Sequence, residues 1–360
     1  MMPTLGGFAT VRDNNFNLLR CLAALMVIYA HSWGLSALGE KHDPLRQFLG
    51  SSTGALAVNA FFIISGYLVT QSWGRQRSLL NFCRARVLRV LPGLFGVLVF
   101  TLLVAGSCWS SLAPGEFFSD SQTWKYFYKN LLMIRAEYDL PGVFVTNHYP
   151  EAVNGSLWTL QYEMKMYLAL AVLGLLGYLS GLRLRVFIGL FVLWYAGFTL
   201  SRIWMAEPPV DAVMLKLSLC FFLGGAAALF GRRLPLTGWA LLPLAALMLL
   251  ARGTLLYDLC SALFLAYALF WIAYVPRGAI LGYNRLGDYS YGLYLYAFPI
   301  QQALVMYWPG LAPLEIFALA SLLTLGCAIF SWHLIEKPAL DWCKRLNAAS
   351  DRQLATAVAA

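Results

Sequence analysis

Charge is what this sequence has least of. Asp, Glu, Lys and Arg make up 12% of its 360 residues, 60% are hydrophobic, and the mean hydropathy is +0.66. Soluble globular domains carry about 25% charged residues, so that class is excluded. Acidic residues are the scarcer kind, 17 against 26 Lys and Arg, leaving a net charge of +9. Such an excess invites a nucleic-acid partner, but the positions of the charges argue against one. Grouped cysteines are also lacking: Cys21, Cys83, Cys108, Cys220, Cys260, Cys327 and Cys343 stand singly, with no metal-ligand spacing. They read as small packing residues, and no metal is expected. No small-x-small cleavage site follows the first apolar run, which argues against a signal peptide. Internal repeats and a soluble domain are lacking too.

What remains is a succession of apolar runs, each near the roughly 20 residues that span a bilayer. Ten are expected, at about 16–35, 52–73, 86–107, 157–180, 184–203, 209–230, 236–251, 254–275, 289–308 and 312–335. With a cytoplasmic N-terminus, Arg75, Arg77, Arg84, Arg86, Arg89, Arg232 and Arg233 collect on the inner side with most other cations. That is the positive-inside asymmetry, and it makes the basic character a topology signal. The prediction is an all-α, polytopic membrane bundle with both termini cytoplasmic. Residues 1–346 form its transmembrane domain and 347–360 a flexible tail. The long connection from Cys108 to Gly155 falls outside and reads either as a packed cap or as a lid over an acceptor.

Ionisable groups inside spans are costly and mark functional candidates. In RCLAALMVIYAH, Arg20 and His31 stand eleven positions apart. On a helix they share a face to within about 20° and are about 16 Å apart along the axis. Arg20 alone could snorkel to the interface, and His31 alone could be a packing residue. Arg86 and Arg89 also share a helical face; they read as topology charge or as a phosphate clamp. Ser65-Gly66 reads first as a close-packing pair. In NGSLWTLQYEMKMY, Asn154 or Ser156 can cap the helix, Trp158 suits the outer interface, and Glu163 lies about 10 Å in. Glu163 could orient the imidazole or pair with a cation. The NGS triplet at this cap reads as a chance glycosylation match. Tyr291 and Tyr294 belong to an aromatic belt or to the lining of a polar cavity. His333, Glu336 and Lys337 read as an inner-interface anchor.

Taken in order, these motifs resemble the integral-membrane acyltransferase-3 family. The resemblance rests on Arg20 and His31, FFIISGYLV, Arg86-x-x-Arg89, SLWTLQYE, SYGLYL and the Glu336-Lys337-Pro338 tail, which together cover nearly the whole chain. It implies transfer of an acyl group, acetyl first, from acyl-CoA to a hydroxyl of a glycan or lipid-linked glycan, at a bacterial inner membrane. Acetyl-CoA would be a cosubstrate rather than a resident cofactor, and the lipid bilayer the other partner. His31 would be the general base with Glu163 as partner, and Arg20, Arg86 and Arg89 would hold the donor's phosphates. Ser65, Trp158, Tyr291 and Tyr294 are the substrate-binding candidates. Many relatives carry a histidine where this chain has Ala297, so no role is carried to that position. A competing reading is a proton-coupled carrier of glycans or acidic molecules, against which stands the lack of paired broken helices or a pseudo-repeat.

Overall fold

The computed structural model describes residues 4–8, 13–75, 78–150, 152–204, 211–231 and 234–359. Among these the fold is all helical, with two isolated bridges in place of any strand. The main helices are α1 (Phe16–Leu35), α2 (Thr53–Arg75), α3 (Leu79–Val104), α4 (Ser121–Leu131), α5 (Trp158–Leu175) and α6 (Gly181–Trp204). They continue with α7 (Ala212–Phe230), α8 (Leu241–Leu250), α9 (Tyr257–Tyr274), α10 (Ser290–Tyr307), α11 (Pro313–Ser331) and α12 (Lys337–Ala359). Polar side chains set their starts. Ser78 accepts from the Asn81 amide before α3, and Asp211 from the Val213 amide before α7.

Seven of the described helical stretches are long and apolar enough to cross a membrane: α1, α2, α3, α6, α7, α9, and α11 continued into α12. The protein is an integral membrane protein. The other three expected spans exist as helices but fall short of that measure. One is short, the apolar stretch Gly238–Leu250. The other two are diluted, α5 by Glu163 and Lys165 and α10 by tyrosines and glutamines. Burial explains α10. Fifteen of its 18 residues are buried, so its polar groups meet protein rather than hydrocarbon.

The chain divides into two compact units. The first comprises Met1–Leu19, Val58–Arg75 and Tyr162–Arg285. Within it α2 and α7 approach at two glycines. A Cβ on Gly66 would stand 1.9 Å from the Phe221 carbonyl oxygen, and one on Gly224 would stand 2.1 Å from that of Ile63. Only residues without a side chain allow this backbone-to-backbone packing. Asn15 ties the start of α1 to α9 by donating to the carbonyls of Ile272 and Pro276, both at 2.9 Å. An apolar cavity of about 570 Å³ lies between α6 and α7, walled by side chains such as Phe187, Phe191 and Phe222. It offers no reacting group.

The second unit comprises Arg20–Ala57, Gln76–Gln161 and Leu286–Ala360. Here α10 packs along α11 and against α3. The long connection is an ordered cap containing α4, in which Glu137 meets Lys129 at 2.8 Å and Lys125 at 3.1 Å. The Lys129 ammonium is the main reason the Glu137 carboxyl is held down to about 2. Helix α12 carries on past residue 346, where a flexible tail was expected. Its Asn347 donates to the Asn81 carbonyl, and Asp351 accepts from the Asn81 side chain.

The α2–α7 seam makes a clear prediction. Gly66→Leu forces two backbones apart and should cost several kcal/mol, since overpacking alone costs about 1–3. Gly74→Leu, on the same helix with open space around it, should leave thermal unfolding in detergent unchanged. Equal melting temperatures for the two variants would contradict the packing described.

Candidate functional site

The densest polar cluster described lies in the second unit, around a residue that sequence reasoning passed over. Asp288 precedes α10 and is buried. Its Oδ2 accepts from Arg20 at 2.6 Å and from Arg89 at 2.5 Å, and its Oδ1 accepts from Ser290 at 2.5 Å. Burial pushes the Asp288 carboxyl up, but the charges of Arg20 and Arg89 overcome it and hold the group far below the ordinary carboxylate range. One carboxylate thus converges two guanidiniums from α1 and α3. The signal for it was present in LGDYSY: an acid just ahead of a helix start, where the macrodipole favours it. The tyrosines drew attention instead.

Around this point the helices close in. The Arg89 guanidinium carbon lies 5.9 Å from the centroid of the Tyr291 ring, within cation–π range. The Tyr291 hydroxyl donates to the Val90 carbonyl at 2.9 Å. Gly93, one turn beyond Arg89, gives the room: a Cβ there would meet Tyr291 at 2.7 Å and Glu336 at 3.4 Å. Glu336 corrects the interface-anchor reading. His333 and Lys337 are exposed, but Glu336 is only 2% exposed and accepts from Ser331 at 2.9 Å. The cause is a turn of π-helix over Trp332–Glu336 at the junction of α11 and α12. The extra residue in that turn rotates Glu336 inward, as π-bulges do at functional positions.

His31 lies farther along α1, about 16 Å from Arg20 by helical rise. Its ring meets Phe298 of α10 edge-on at 4.9 Å. Its Nδ1 is buried without a hydrogen-bond partner among the described residues. Ala297 is fully buried beside Phe298. Asn154 is the residue that caps the approach to α5, accepting from the Ser156 amide while donating to the Leu295 carbonyl. Both ends of its buried amide are used, which leaves no room for a glycan. Tyr294 donates to the Ser156 carbonyl at 2.7 Å and bonds Thr159 at 2.6 Å. Trp158 is half-buried at the first position of α5.

The other expected residues fall as follows. Arg86 lies over the Phe82 ring at 5.9 Å, toward the start of α3. Glu163 and Ser65 meet in the first unit, where Ser65 donates to Glu163 at 3.2 Å and Tyr167 donates to the same carboxylate oxygen. Glu163 is therefore committed to hydroxyls, and Ser65 does more than pack. The structure brings together Arg20 with Arg89, and Ser65 with Glu163.

An arginine pair at one end of α1 and an imidazole toward the other can bind an anion and accept a proton. The acyltransferase-3 family model, described as an acyltransferase domain, matches residues 13–333. The chain belongs to the acyltransferase-3 family. Among curated proteins it is similar to an O-acetyl transferase of Shigella phage Sf6, 30% identical over 338 residues that cover 91% of this chain and 96% of that one. It is also similar to nodulation protein 10 of Rhizobium leguminosarum bv. viciae, 27% identical over 361 residues that cover 91% and 93%. No solved structure matches it.

Asp288→Asn tests the cluster. It leaves two guanidiniums without their shared anion, and breaking a buried pair costs about 3–5 kcal/mol. The carboxyl is depressed in the folded state, so its stabilisation is complete above the unfolded value of about 3.9 and disappears as pH falls below it. The melting-temperature gap between wild type and Asp288→Asn should hold from about pH 8 to pH 5 and narrow below about pH 4. A gap absent at neutral pH would refute the role of Asp288.

Proposed function

We propose that this protein is a membrane O-acyltransferase that moves an acetyl group from acetyl-CoA to a hydroxyl of a glycan or lipid-linked glycan. The observation that carries the reading is the joining of Arg20 to Arg89 at one anion site, with His31 on the same helix as Arg20. The Arg20–His31 rise of about 16 Å is close to the reach of an extended pantetheine arm. The donor's phosphates would sit at Arg20 and Arg89, with Arg86 adding charge at the start of α3. Arginine suits them because its planar fork matches phosphate oxygens. Asp288 already gathers the two guanidiniums, and the more highly charged phosphates can share or take that position. The name of the phage relative supports acetyl as the group moved and oxygen as the atom that receives it.

The chemistry follows from the imidazole. A sugar hydroxyl is a poor nucleophile at neutral pH. His31 accepts its proton as the oxygen attacks the thioester carbonyl. The tetrahedral intermediate then collapses, the carbon–sulfur bond breaks, and the CoA sulfur leaves as a thiol once it regains a proton. Such general-base help contributes typically 10²–10⁴-fold. The Tyr291 ring is a platform for Arg89, and the reading assigns Ser65, Trp158 and Tyr294 to substrate binding. Glu163 would act on charge near the acceptor, through the hydroxyls it binds. The cation asymmetry supports cytoplasmic termini and donor entry from the cytoplasm of a bacterial inner membrane.

The test uses purified protein in nanodiscs with acetyl-CoA and a glycan acceptor, following thiol release. His31→Ala should lower turnover by about 10²–10⁴-fold while acetyl-CoA binding persists. Arg89→Ala should weaken acetyl-CoA binding more than acceptor binding. Normal acetylation by His31→Ala would end the base assignment. Glycan transport that needs no acyl-CoA would favour a carrier instead.

A further inference from the structure

Gln301 is a fully buried amide in the middle of a membrane protein, on α10. Its Nε2 donates to the Ile28 carbonyl and to the Ser32 hydroxyl oxygen, both at 2.8 Å. Ser32 in turn donates to the Ile28 carbonyl at 2.8 Å, which leaves its oxygen to accept from Gln301. A carbonyl only accepts, so the amide can face α1 one way round, with its nitrogen toward Ile28. Its Oε1 is then a buried oxygen with no partner among the described residues.

The turn that Gln301 grips, from Ile28 to Ser32, is the turn that carries His31. One turn earlier on α10, Phe298 holds the imidazole edge-on. Two orphaned buried atoms therefore occur at one level of the α1–α10 seam, His31 Nδ1 and Gln301 Oε1. Each costs about 1–3 kcal/mol if left unsatisfied. They are complementary, because an imidazole nitrogen can donate and an amide oxygen can only accept. The nearby competitors are placed elsewhere. The ring of Trp33, whose Nε1 is also unpartnered, lies against Tyr29, which packs on Phe317 of α11. Ser156 has an orphaned hydroxyl, but its carbonyl is held by Tyr294, two turns from Gln301 along α10.

We propose that Gln301 is the positioning residue of His31. Its nitrogen fixes the His31 turn against α10, and its Oε1 takes the hydrogen bond of Nδ1–H across one water. Nε2 is thereby kept as the lone pair that faces the acceptor hydroxyl. The tautomer of a histidine is set by the hydrogen bond its other nitrogen makes. This inference rests on the reading of His31 as the base.

The experiment is nitrogen NMR of histidine-labelled protein in nanodiscs, with the His31 signals assigned by His31→Gln. Wild type should show Nδ1 protonated and Nε2 bare; the opposite tautomer overturns the proposal, and the reading asks nothing of a Gln301 variant. Gln301→Leu should lose that preference and lower kcat by about tenfold or more, with the KM for acetyl-CoA within about twofold of wild type. Ser32→Ala, which spares the Ile28 carbonyl, should keep the tautomer and most of kcat. A Gln301→Leu enzyme with normal kcat overturns the proposal. So does one whose kcat falls while the tautomer stays, because the residue is then merely structural. The tautomer is read without turnover, so active His31→Ala enzyme would remove the base assignment while leaving the hold of Gln301 on the ring measurable.

Discussion

Two guanidiniums brought together among apolar helices repel one another and need an anion between them. Asp288 supplies it, taking Arg20 from α1 and Arg89 from α3 on a single oxygen while Ser290 fills the other. At an effective dielectric of about 20, each contact of this length is worth several kcal/mol in gross terms, against a desolvation cost of similar size. Net stabilisation is therefore small, and what the arrangement secures is geometry. Three segments far apart in sequence are held at one point. The close approach at Gly93, with Tyr291 on one side and Glu336 on the other, depends on that convergence.

The second organising fact is the burial of α10. A bilayer-facing helix could not carry four tyrosines and two glutamines, but α10 meets protein on nearly every side. Each polar group accordingly finds work. Tyr291 and Tyr294 bond backbone carbonyls of Val90 and Ser156, Gln301 holds the His31 turn, and Gln302 donates to the carbonyls of Tyr149 and Ala152 under the cap. One helix thus registers the arginine cluster, the imidazole and the long connection along its length. The same polarity keeps it out of the set of helices that qualify as spans by apolarity alone.

The fold class was legible because hydrocarbon imposes a strong pattern: apolar length and one-sided cations can be read directly. Arg20 and His31 were legible because helical spacing places them on one face whatever surrounds them. Asp288 and Glu336 were not, for different reasons. Asp288 is local in sequence to the tyrosines but pairs with residues 268 and 199 positions away, and no periodicity encodes such a contact. Glu336 looked like an anchor because it was read together with His333 and Lys337, which are exposed. A single π-turn moves it to the interior, and such an insertion leaves no mark in a pattern of period 3.6. Glu163 was legible as an intramembrane acid, but its partners Ser65 and Tyr167 required the packing of α2 on α5.

Ala297 shows how these levels connect. Many relatives carry a histidine here, and the sequence reading carries no role to this position. In this chain the position is a fully buried alanine beside Phe298, whose ring packs edge-on with His31 and also against Gly155. With alanine at 297, a polar partner for the imidazole comes from elsewhere on the same helix. Four positions on, Gln301 is the side chain whose amide already grips the His31 turn. A neutral amide also suits the place better than a second ionisable group. It orients the ring without adding a charge whose burial would need an ion of its own.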